Sequence, residues 1–544
     1  MISTSPALFP AFSPWVTDYV SRCSASTPIQ VFVNEPQGTT ASVDGQPAQS
    51  GSFTAQVTRD VGQSFTIVVQ EPSLQPASTY YVRCLPADFP TWTVQHPGPT
   101  QADGYVVAMA DAKYPAIFDT NGVPLWWGIP PGPTAFAQFL PDGTFAWITA
   151  AGEADEVGLD GTIHTIRQAG SSSDDPTLRP GITDWHDLLK LSNGDYVLAV
   201  DTTRTGVDLE AAWGPGYPQS ASVLDQVIEE LTPAGHVVWS WDAMDHIPIS
   251  ETDPQWRNQV SNGSYDAYHW NSIEPTATGY LLSFRHLDAI YSIEAPTRGT
   301  SADGQTNSNT TITAADGAFT AADVGSAITD SLGDIPAGTT IAAYVSNTQV
   351  TLSQAATGTD TDDVFTIGGN ILWKLGGSPH PGESLTVQND PVVDAGGAVF
   401  SGQHDARQLA DGTVTVHDDG TNTRSPRAVR YTIDPTNMTA TWFGQVSDPL
   451  VTASVCCGSA RKLSGGDWVM GWGASQTVTE MTPGGIRVFL LQFGSGILYR
   501  AIPVPAGQLD RAALRAGMDA QYSSSSAART ATQSQQWTPT TKVP

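Results

Sequence analysis

A hairpin pattern that recurs along most of the chain constrains its fold more than any other feature of the sequence. One series of hairpins, each with a short polar turn between two apolar strands, reads FLPDGTFAWI, KLSNGDYVLAV, PTATGYLLSF, QLADGTVTVH and KLSGGDWVMGW. A second, offset series reads FDTNGVPLWWG, GLDGTIHTI, LTPAGHVVWSW, GGNILWKLGG, TIDPTNMTATWF and MTPGGIRVFLL. Because the two series alternate, each repeat contains one inner and one outer hairpin, which together make a four-stranded blade. The six outer hairpins predict a six-bladed β-propeller.

The composition favours the same all-β class. The chain has 544 residues, including 16 Trp, 51 Gly and 39 Pro, and only 14% of its residues are charged. This balance is typical of many short strands joined by tight turns. The 24 basic and 54 acidic residues give a formal net charge of −30, which repels phosphate backbones and argues against a nucleic-acid partner. An anionic substrate would need a local cluster of cations to overcome this charge.

The length allows more than one hydrophobic core, and the pattern changes along the chain. Residues 1–98 contain alternating stretches such as IQVFVNE and SFTIVVQEP, which predict an N-terminal β-sandwich. The propeller is expected over residues 99–299 and 370–510. Residues 300–369 are rich in Thr, Ala and Asp, and predict a small β module inserted between the third and fourth strands of one blade. Residues 511–544 are expected to form a partly disordered tail because their apolar content is low.

The four cysteines bear on the compartment of the protein. Cys23 and Cys84 lie near the two ends of the first β segment, which favours one disulfide across a small sandwich. Two buried free thiols are the alternative. Cys456 and Cys457 are adjacent, and neighbouring cysteines rarely bridge without backbone strain, so this pair has no assigned role.

No stretch of the sequence approaches the apolar length of a membrane span. The N-terminus also lacks a basic region followed by an apolar run, so no signal peptide is visible in this chain. The expected disulfide suits an oxidising compartment and predicts a secreted, periplasmic or cell-surface protein.

Three histidines occupy the same point in successive repeats, just before the strand that leads into the inner hairpin. They are His186 in TDWHDLLKL, His269 in AYHWNSIEP and His404 in GQHDARQL. Equivalent positions of propeller blades converge on the central channel, so the three imidazoles are expected to share one opening. Arg285 in LLSFRHLDAI can face the same space, and strand alternation predicts that His286 faces the opposite side of the sheet.

These side chains suit the transfer of a charged tetrahedral group. A neutral imidazole is a nucleophile near neutral pH, and arginine or protonated histidine stabilises the transferred oxygens. A packing role for each single histidine is the simplest alternative. A zinc site built from the three histidines is a second alternative, which Arg285 would oppose.

With these motifs, residues 99–510 resemble the bacterial arylsulfate sulfotransferases that use no nucleotide sulfate donor. The shared motifs are His-Asp followed by L-x-x-G-x-Y, then H-x-N-S-I with S-x-R-H, then Q-H-D-A-R. The resemblance implies that His404 is transiently sulfurylated and that His186, His269 and Arg285 hold the sulfuryl oxygens and assist proton transfer. Asn271 matches a polar, substrate-binding residue of the family. No cofactor or metal is implied.

The resemblance also implies a ping-pong reaction, in which an aryl sulfate donates its sulfuryl group and a phenol accepts it. The sequence is most similar to the actinobacterial and fungal branch of the family. Two features depart from the family pattern: the loop at residues 416–420, which reads VHDDG, and the inserted module.

Two function hypotheses follow. The first is this sulfotransferase, with an aryl sulfate donor and a phenolic acceptor as its partners. The second is a non-catalytic propeller module or adhesin that binds sulfated aromatics or glycans. The complete set of site residues favours the enzyme, and the inserted module favours binding. A homodimer is compatible with either hypothesis.

Overall fold

The computed structural model describes residues 1–72, 76–109, 113–168, 181–296, 298–299, 303–315, 319–421 and 423–523. Strands dominate its regular structure, so the prediction of an all-β fold is confirmed. Among the described residues, no helix is both long enough and apolar enough to cross a membrane.

The N-terminal region forms two facing sheets. Its strands are β1 (Ile2–Ser5), β2 (Asp18–Ser21), β3 (Ile29–Asn34), β4 (Thr40–Val43), β5 (Gln49–Ser50), β6 (Ser52–Val57), β7 (Ser64–Gln70) and β8 (Ser78–Cys84). One sheet has the order β1-β3-β6 and the other β2-β8-β7-β4-β5. Alternate side chains of β3 and β7 are buried, as the alternating sequence requires. Cys23 and Cys84 form the predicted disulfide within this core.

Strands and short helices continue along the chain to the inserted module. They are β9 (Trp92–Gln95), β10 (Ala102–Met109), β11 (Ala116–Asp119), β12 (Pro124–Trp127), β13 (Thr134–Phe139), β14 (Phe145–Thr149), β15 (Ala154–Val157), β16 (Ile163–Arg167), β17 (Ile182–Lys190), β18 (Tyr196–Val207), α1 (Leu209–Trp213), β19 (Ala221–Leu231), β20 (Val237–Asp242), α2 (Ala243–His246), β21 (Val260–Ser261), β22 (Ser264–Tyr265), β23 (Trp270–Pro275), β24 (Gly279–Phe284) and β25 (Ala289–Glu294). Short 3-10 helices span Ile249–Glu251 and Arg285–Leu287.

The module and the C-terminal part of the chain supply the remaining elements. They are β26 (Arg298–Gly299), β27 (Gly304–Gln305), β28 (Thr311–Ala314), β29 (Ile328–Asp330), β30 (Ile341–Ser346), β31 (Gln349–Leu352), β32 (Phe365–Ile367), β33 (Ile371–Gly376), β34 (Thr386–Gln388), α3 (Pro391–Asp394), β35 (His404–Gln408), β36 (Val414–Asp418), β37 (Arg427–Asp434), β38 (Thr439–Val446), β39 (Ser459–Lys462), β40 (Trp468–Gly471), β41 (Thr477–Met481), β42 (Arg487–Phe493), β43 (Leu498–Pro505) and α4 (Arg511–Ser523). Two further 3-10 helices span Ala321–Asp323 and Gly473–Ser475.

In the part of the chain that the structure describes, six antiparallel sheets form a ring, and we call them blades 1 to 6. From the inner to the outer strand they are β43-β10-β11-β12, β13 to β16, β17 to β20, β23-β24-β25-β33, β35 to β38, and β39 to β42. The inner strands contact one another in the cyclic order β43, β13, β17, β23, β35, β39 and back to β43. The ring is therefore a closed β-propeller.

The ring closes because blade 1 combines strands from both ends of the propeller sequence. Its inner strand β43 pairs antiparallel with β10, with Tyr105 opposite Pro503 and Val107 opposite Ala501. Blade 1 obtains its inner strand from the C-terminal side and so has no inner hairpin that is continuous in sequence. The inner hairpin series therefore has one member fewer than the outer series. The N-terminal strand β9 also adds to the outer edge of blade 6 by pairing with β42.

The inserted module lies between β25 and β33, the third and fourth strands of blade 4. Its strands form two small sheets, β26-β32-β29 and β27-β28-β31-β30. Ile312, Phe319, Ile328, Val350 and Phe365 belong to a separate buried cluster. The module therefore has its own small core.

The C-terminal helix α4 ties the N-terminal sandwich to blade 1. Arg515 makes two hydrogen bonds of 2.7 Å to the carboxylate of Asp18 in the sandwich. Arg511 contacts the same carboxylate at 3.1 Å and that of Asp119 in blade 1 at 2.8 Å. Sequence analysis missed this helix, because three of its hydrogen bonds are to Asp18, which lies almost 500 positions away. The rest of the expected tail, residues 524–544, lies outside the described residues.

Removing the shared carboxylate should loosen this connection. Burial alone would raise the pKa of Asp18, but the hydrogen bonds and charge of Arg515 outweigh it and lower this pKa from its usual value near 3.8. We expect Asp18→Ala to lower the free energy of unfolding by about 3–5 kcal/mol at pH 7, measured by urea denaturation. The carboxylate stabilises the fold fully above its unfolded pKa, so the difference from wild type should begin to shrink as the pH falls toward 3.8 and be lost as the pH falls through the lower pKa of the folded state.

The exposed pair between Lys113 and Asp88 offers the control for this experiment. Asp88→Asn should change the unfolding free energy little, because exposed ion pairs contribute little to stability. If Asp18→Ala has as small an effect as Asp88→Asn at pH 7, helix α4 does not hold the sandwich in the way described.

Candidate functional site

The three predicted histidines lie on the inner strands of three blades. His186 belongs to β17, His269 immediately precedes β23, and His404 begins β35. The strand register shifts at each of these points, between Thr183 and Leu188, between Trp270 and Ser272, and between His404 and Arg407. Bulges of this kind turn side chains out of the regular alternation and are frequent next to active sites.

The structure brings these histidines together at the inner strands. The rings of His186 and His269 lie 5.0 Å apart with an edge-to-face geometry. Burial is the main reason that the pKa of His404 is lowered, and interactions with Arg285, His186 and His269 lower it further, so the third imidazole lies within their electrostatic reach. His269 has a φ of 54°, a left-handed conformation that is uncommon for a residue other than glycine and that clusters at functional sites.

Each imidazole has its Nδ1 atom held by a carboxylate. The pairs are His186 with Asp184 at 2.6 Å, His269 with Asp266 at 2.6 Å, and His404 with Asp419 at 2.7 Å. This arrangement fixes the tautomer with a proton on Nδ1 and leaves Nε2 as the reactive nitrogen. Sequence analysis missed all three carboxylates, although two of them lie two or three positions before their histidine.

The surroundings of His404 suit a nucleophile, because they fix its ring and keep it neutral. It is buried, and its Nδ1 contacts the backbone carbonyl of Gly402 at 2.9 Å as well as Asp419. Burial, followed by the positive charge of Arg285, lowers the pKa of His404 well below its usual value. Burial raises the pKa of Asp419 to about 7. The ring is therefore neutral at neutral pH, and no hydrogen bond to a described residue involves its Nε2.

Arg285 lies in the same space, as the sequence predicted. Its Nη2 donates to the carbonyl of Val455 at 2.9 Å, and its guanidinium lies 4.1 Å from the ring of Trp256. Among the described residues, no carboxylate forms an ion pair with Arg285, and its buried Nε has no hydrogen-bond partner there. The positive charge is therefore available to an anion, which the overall charge of −30 would otherwise disfavour.

The prediction that His286 faces the opposite side of the sheet is wrong. Strand β24 ends at Phe284, and Arg285–Leu287 is a 3-10 helix, so the alternation of strand side chains stops before this residue. The ring of His286 stacks on that of His269 at a centroid distance of 4.4 Å. Its Nε2 accepts a hydrogen bond of 2.9 Å from Arg285.

Asn271 is fully buried in β23 and contacts the chain next to His404. Its side-chain amide donates to the carbonyl of Gln403 at 2.8 Å. The Oδ1 atom of Asn271 has no partner among the described residues. Its own backbone carbonyl accepts a hydrogen bond of 2.7 Å from Arg500. The side chain thus connects blade 4 to the backbone that carries His404.

A buried network of arginines and aspartates connects the inner strands of four blades. Arg407 pairs with Asp187 at 2.7 Å, and Arg500 pairs with the same aspartate at 3.0 Å. Arg461 and Arg407 both contact Asp405, at 2.7 and 2.9 Å. Sequence analysis missed this network, although Asp187 and Asp405 each follow a site histidine directly. The paired charges join the blades beneath the imidazoles and so hold the inner strands in place.

One group of side chains could be considered for a metal ion, namely Asp266, His269 and His286. However, Nδ1 of His286 contacts the carbonyl of Asp266 at 2.6 Å, and its Nε2 already accepts from Arg285. Both ring nitrogens are engaged, and the guanidinium would repel a cation. The donor set does not fit a metal ion.

The adjacent cysteines lie at the edge of this site. Both carry free thiols, and Cys457 packs against Tyr499, whose ring centre is 5.6 Å from that of His186. The preceding residue, Val455, supplies the carbonyl that holds Arg285.

The protonation of the buried imidazoles can be observed directly. Burial lowers the pKa of His186 to about 3, and that of His404 lies well below its usual value. We expect the ring-nitrogen NMR signals of both residues to remain those of neutral imidazole from pH 8 to pH 5, with assignments from His186→Gln and His404→Gln. Protonation of His404 above pH 6 would contradict the described environment.

Part of the chain matches the model of a known protein family. Residues 60–301 match the family model described as Arylsulfotransferase (ASST). His186, His269 and Arg285 lie inside this match, and His404 follows it in the chain. No curated protein matches the chain.

Several solved structures are similar at low identity. A protein of unknown function from Bacteroides caccae is 10% identical, with 74% of this chain and 98% of that one covered and a TM-score of 0.35. Virginiamycin B lyase from Staphylococcus aureus is 11% identical, with 78% and 90% covered and a TM-score of 0.30. The WD40 β-propeller domain of Doa1 is 8% identical, with 75% and 98% covered and a TM-score of 0.27.

The family match agrees with the motifs around the site histidines and supports sulfotransferase activity on aryl sulfates in general terms. This match covers a little under half of the chain and confirms the resemblance of residues 60–301 to the arylsulfotransferase family.

Proposed function

We propose that this protein transfers a sulfuryl group from an aryl sulfate to a phenol through a covalent intermediate on His404, without a nucleotide sulfate donor. The observation that carries the proposal is the pairing of two features. His404 is a buried, neutral imidazole whose Nδ1 is held by Asp419. Arg285 lies close enough to His404 to add to the lowering of the pKa of this histidine by burial, and it has no carboxylate partner among the described residues. A nucleophile and a cation for the oxygens of the transferred group therefore lie together.

In the first step, the lone pair on Nε2 of His404 attacks the sulfur atom. A nitrogen–sulfur bond forms, the bond between sulfur and the aryl oxygen breaks, and the phenolate leaves with the electron pair. Positive charge develops on the ring, and Asp419 stabilises it through the Nδ1 proton. In the second step, the oxygen of another phenol attacks the sulfur and the nitrogen–sulfur bond breaks, which regenerates His404.

His269 is suited to exchange a proton with the phenol oxygen. Its side chain is partly exposed, unlike those of His186 and His404. Although burial opposes ionisation of Asp266, the charges and hydrogen bond of His269 outweigh it and lower the pKa of this aspartate. Asp266 therefore stays ionised and accepts a hydrogen bond from Nδ1. The protonated form of His269 can then donate its Nε2 proton to the leaving phenolate, and the resulting neutral ring can take the proton of the incoming phenol.

His186 and Arg285 are assigned to the sulfuryl oxygens. His186 stays neutral because burial lowers its pKa, and its ring is held between Trp185, stacked at 4.3 Å, and His269. A fixed imidazole and a fixed guanidinium are groups that stabilise negative charge without reorganisation during the reaction.

The Cys23–Cys84 disulfide supports a location outside the cytoplasm, because disulfides persist in oxidising compartments. We therefore propose that the reaction takes place in the periplasm, at the cell surface or in the medium.

Replacement of the nucleophile provides the first test. With 4-nitrophenyl sulfate and phenol, wild type should release nitrophenolate, and His404→Asn should lower the rate by about 10³-fold or more. His96→Asn is the matched control, since this histidine is exposed and distant in sequence from the site, and it should retain full activity. Without phenol, wild type should release a burst of nitrophenolate equal to the enzyme concentration.

Two results would overturn the proposal. One is full activity of His404→Asn. The other is an absence of turnover with several phenols although 4-nitrophenyl sulfate binds, which would favour the non-catalytic binding module.

The dependence of the rate on pH provides the second test. Burial raises the pKa of Asp419 to about 7, so this carboxylate supports His404 only once it has lost its proton. The rate should rise as the pH increases through about 7. Asp419→Asn should reduce kcat by about 10²–10⁴-fold and abolish this rise. A flat profile from mildly acidic to neutral pH would contradict this role of Asp419.

A further inference from the structure

We propose that His286 is a positioning residue that holds the guanidinium of Arg285 through a neutral hydrogen-bond acceptor. The inference rests on the proposed function, because Arg285 acts there on the sulfuryl oxygens. It goes beyond that proposal by giving a role to a side chain that the sequence predicted to face away from the site.

The contacts of His286 fix its tautomer. Its Nδ1 lies 2.6 Å from the backbone carbonyl of Asp266, which can only accept, so Nδ1 carries the proton. Its Nε2 lies 2.9 Å from Nη1 of Arg285, which can only donate, so Nε2 carries the lone pair. The ring therefore acts as a neutral acceptor toward the arginine.

Two stacked contacts restrain the ring of His286. Its centre lies 4.4 Å from that of His269 and 5.0 Å from that of Trp256. The indole of Trp256 is itself held by a hydrogen bond of 3.1 Å to Asp288. His286 is only 2% exposed, so its acceptor nitrogen is fixed in position.

Arg285 is held from three directions by groups without negative charge. They are Nε2 of His286, the carbonyl of Val455 and the face of Trp256. A carboxylate in any of these positions would neutralise the guanidinium, whereas these partners orient it and keep its charge for a substrate anion. Burial and the charges of His269 and Arg285 lower the pKa of His286, which agrees with a ring that remains unprotonated beside the arginine.

Without His286, the guanidinium would lose one of its two hydrogen-bond partners. Asp419 is within electrostatic reach of Arg285, since the charge of the arginine opposes the rise that burial causes in the pKa of this carboxyl. A released guanidinium would be drawn toward Asp419, and so away from the sulfuryl oxygens and toward the partner of His404. The role of His286 is thus exerted through Arg285 and not through the substrate.

The test compares two replacements of His286. His286→Leu preserves apolar bulk but has no acceptor, and we expect it to lower kcat/KM for 4-nitrophenyl sulfate by about tenfold to a hundredfold. In His286→Gln, the amide oxygen can accept from Arg285 and the amide nitrogen can donate to Asp266, so most of this loss should be recovered. In an Arg285→Ala background, His286→Leu should have less than about a twofold further effect, because the two changes act on one interaction.

His246 provides a matched control. It also stacks on a tryptophan, with its ring 4.5 Å from that of Trp241, and its Nδ1 also contacts a backbone carbonyl, that of Asp242 at 2.9 Å. It has no arginine contact among the described residues. His246→Leu should therefore leave kcat/KM unchanged, and thermal unfolding curves will show whether either leucine variant is misfolded.

Equilibrium binding of 4-nitrophenyl sulfate, followed by tryptophan fluorescence, makes the test independent of turnover. If wild type shows no turnover, the proposed function fails, but weaker binding to His286→Leu with recovery in His286→Gln would still support the positioning role. Two results would overturn it: equal losses in the Leu and Gln variants, or a loss from His286→Leu that is undiminished in the Arg285→Ala background.

Discussion

Backbone pairing between β10 and β43 is the constraint on which the rest of the propeller depends. These strands come from opposite ends of the propeller sequence, and their hydrogen bonds close the ring of six sheets. Within this ring the inner strands of neighbouring blades contact one another. Residues more than 200 positions apart in sequence, such as His186 and His404, therefore reach one another's electrostatic field.

The net charge of −30 repels an anionic substrate, and the arrangement of charges in the site offsets this repulsion locally. Buried carboxylates are placed on the Nδ1 side of the imidazoles, whereas the contacts of Arg285 are uncharged. The carboxylates fix tautomers and support positive charge on the rings as it develops. The guanidinium keeps its charge for the transferred group. Different side chains therefore carry the two tasks: the carboxylates support the nucleophile, and the guanidinium attracts the substrate.

Local periodicity was sufficient to predict much of the fold and part of the site. Alternating hairpins with turn residues indicated an all-β chain, and the equivalent positions of His186, His269 and His404 in successive repeats indicated a shared opening. The disulfide was also predictable from its position in the first β segment. These features depend on short-range patterns, which repeat visibly in the sequence.

The features that were missed depend on contacts between distant segments or on local breaks in the pattern. His286 follows the end of a strand, and only the 3-10 helix at Arg285–Leu287 turns it toward His269. Asp419 contacts His404 from the connection between β36 and β37. Helix α4 is stabilised by Asp18, which lies near the N-terminus of the chain. No sequence period marks such pairs, because each occurs once.

The central claim is that the sulfuryl group is transferred by way of a covalent intermediate on His404 and not directly from donor to acceptor. An aryl sulfate made chiral at sulfur with three oxygen isotopes tests this claim most directly, because each in-line displacement inverts the configuration. Two displacements, the first by His404 and the second by the phenol, predict that the product retains the configuration of the donor. Inversion would show a single direct transfer and would contradict the account.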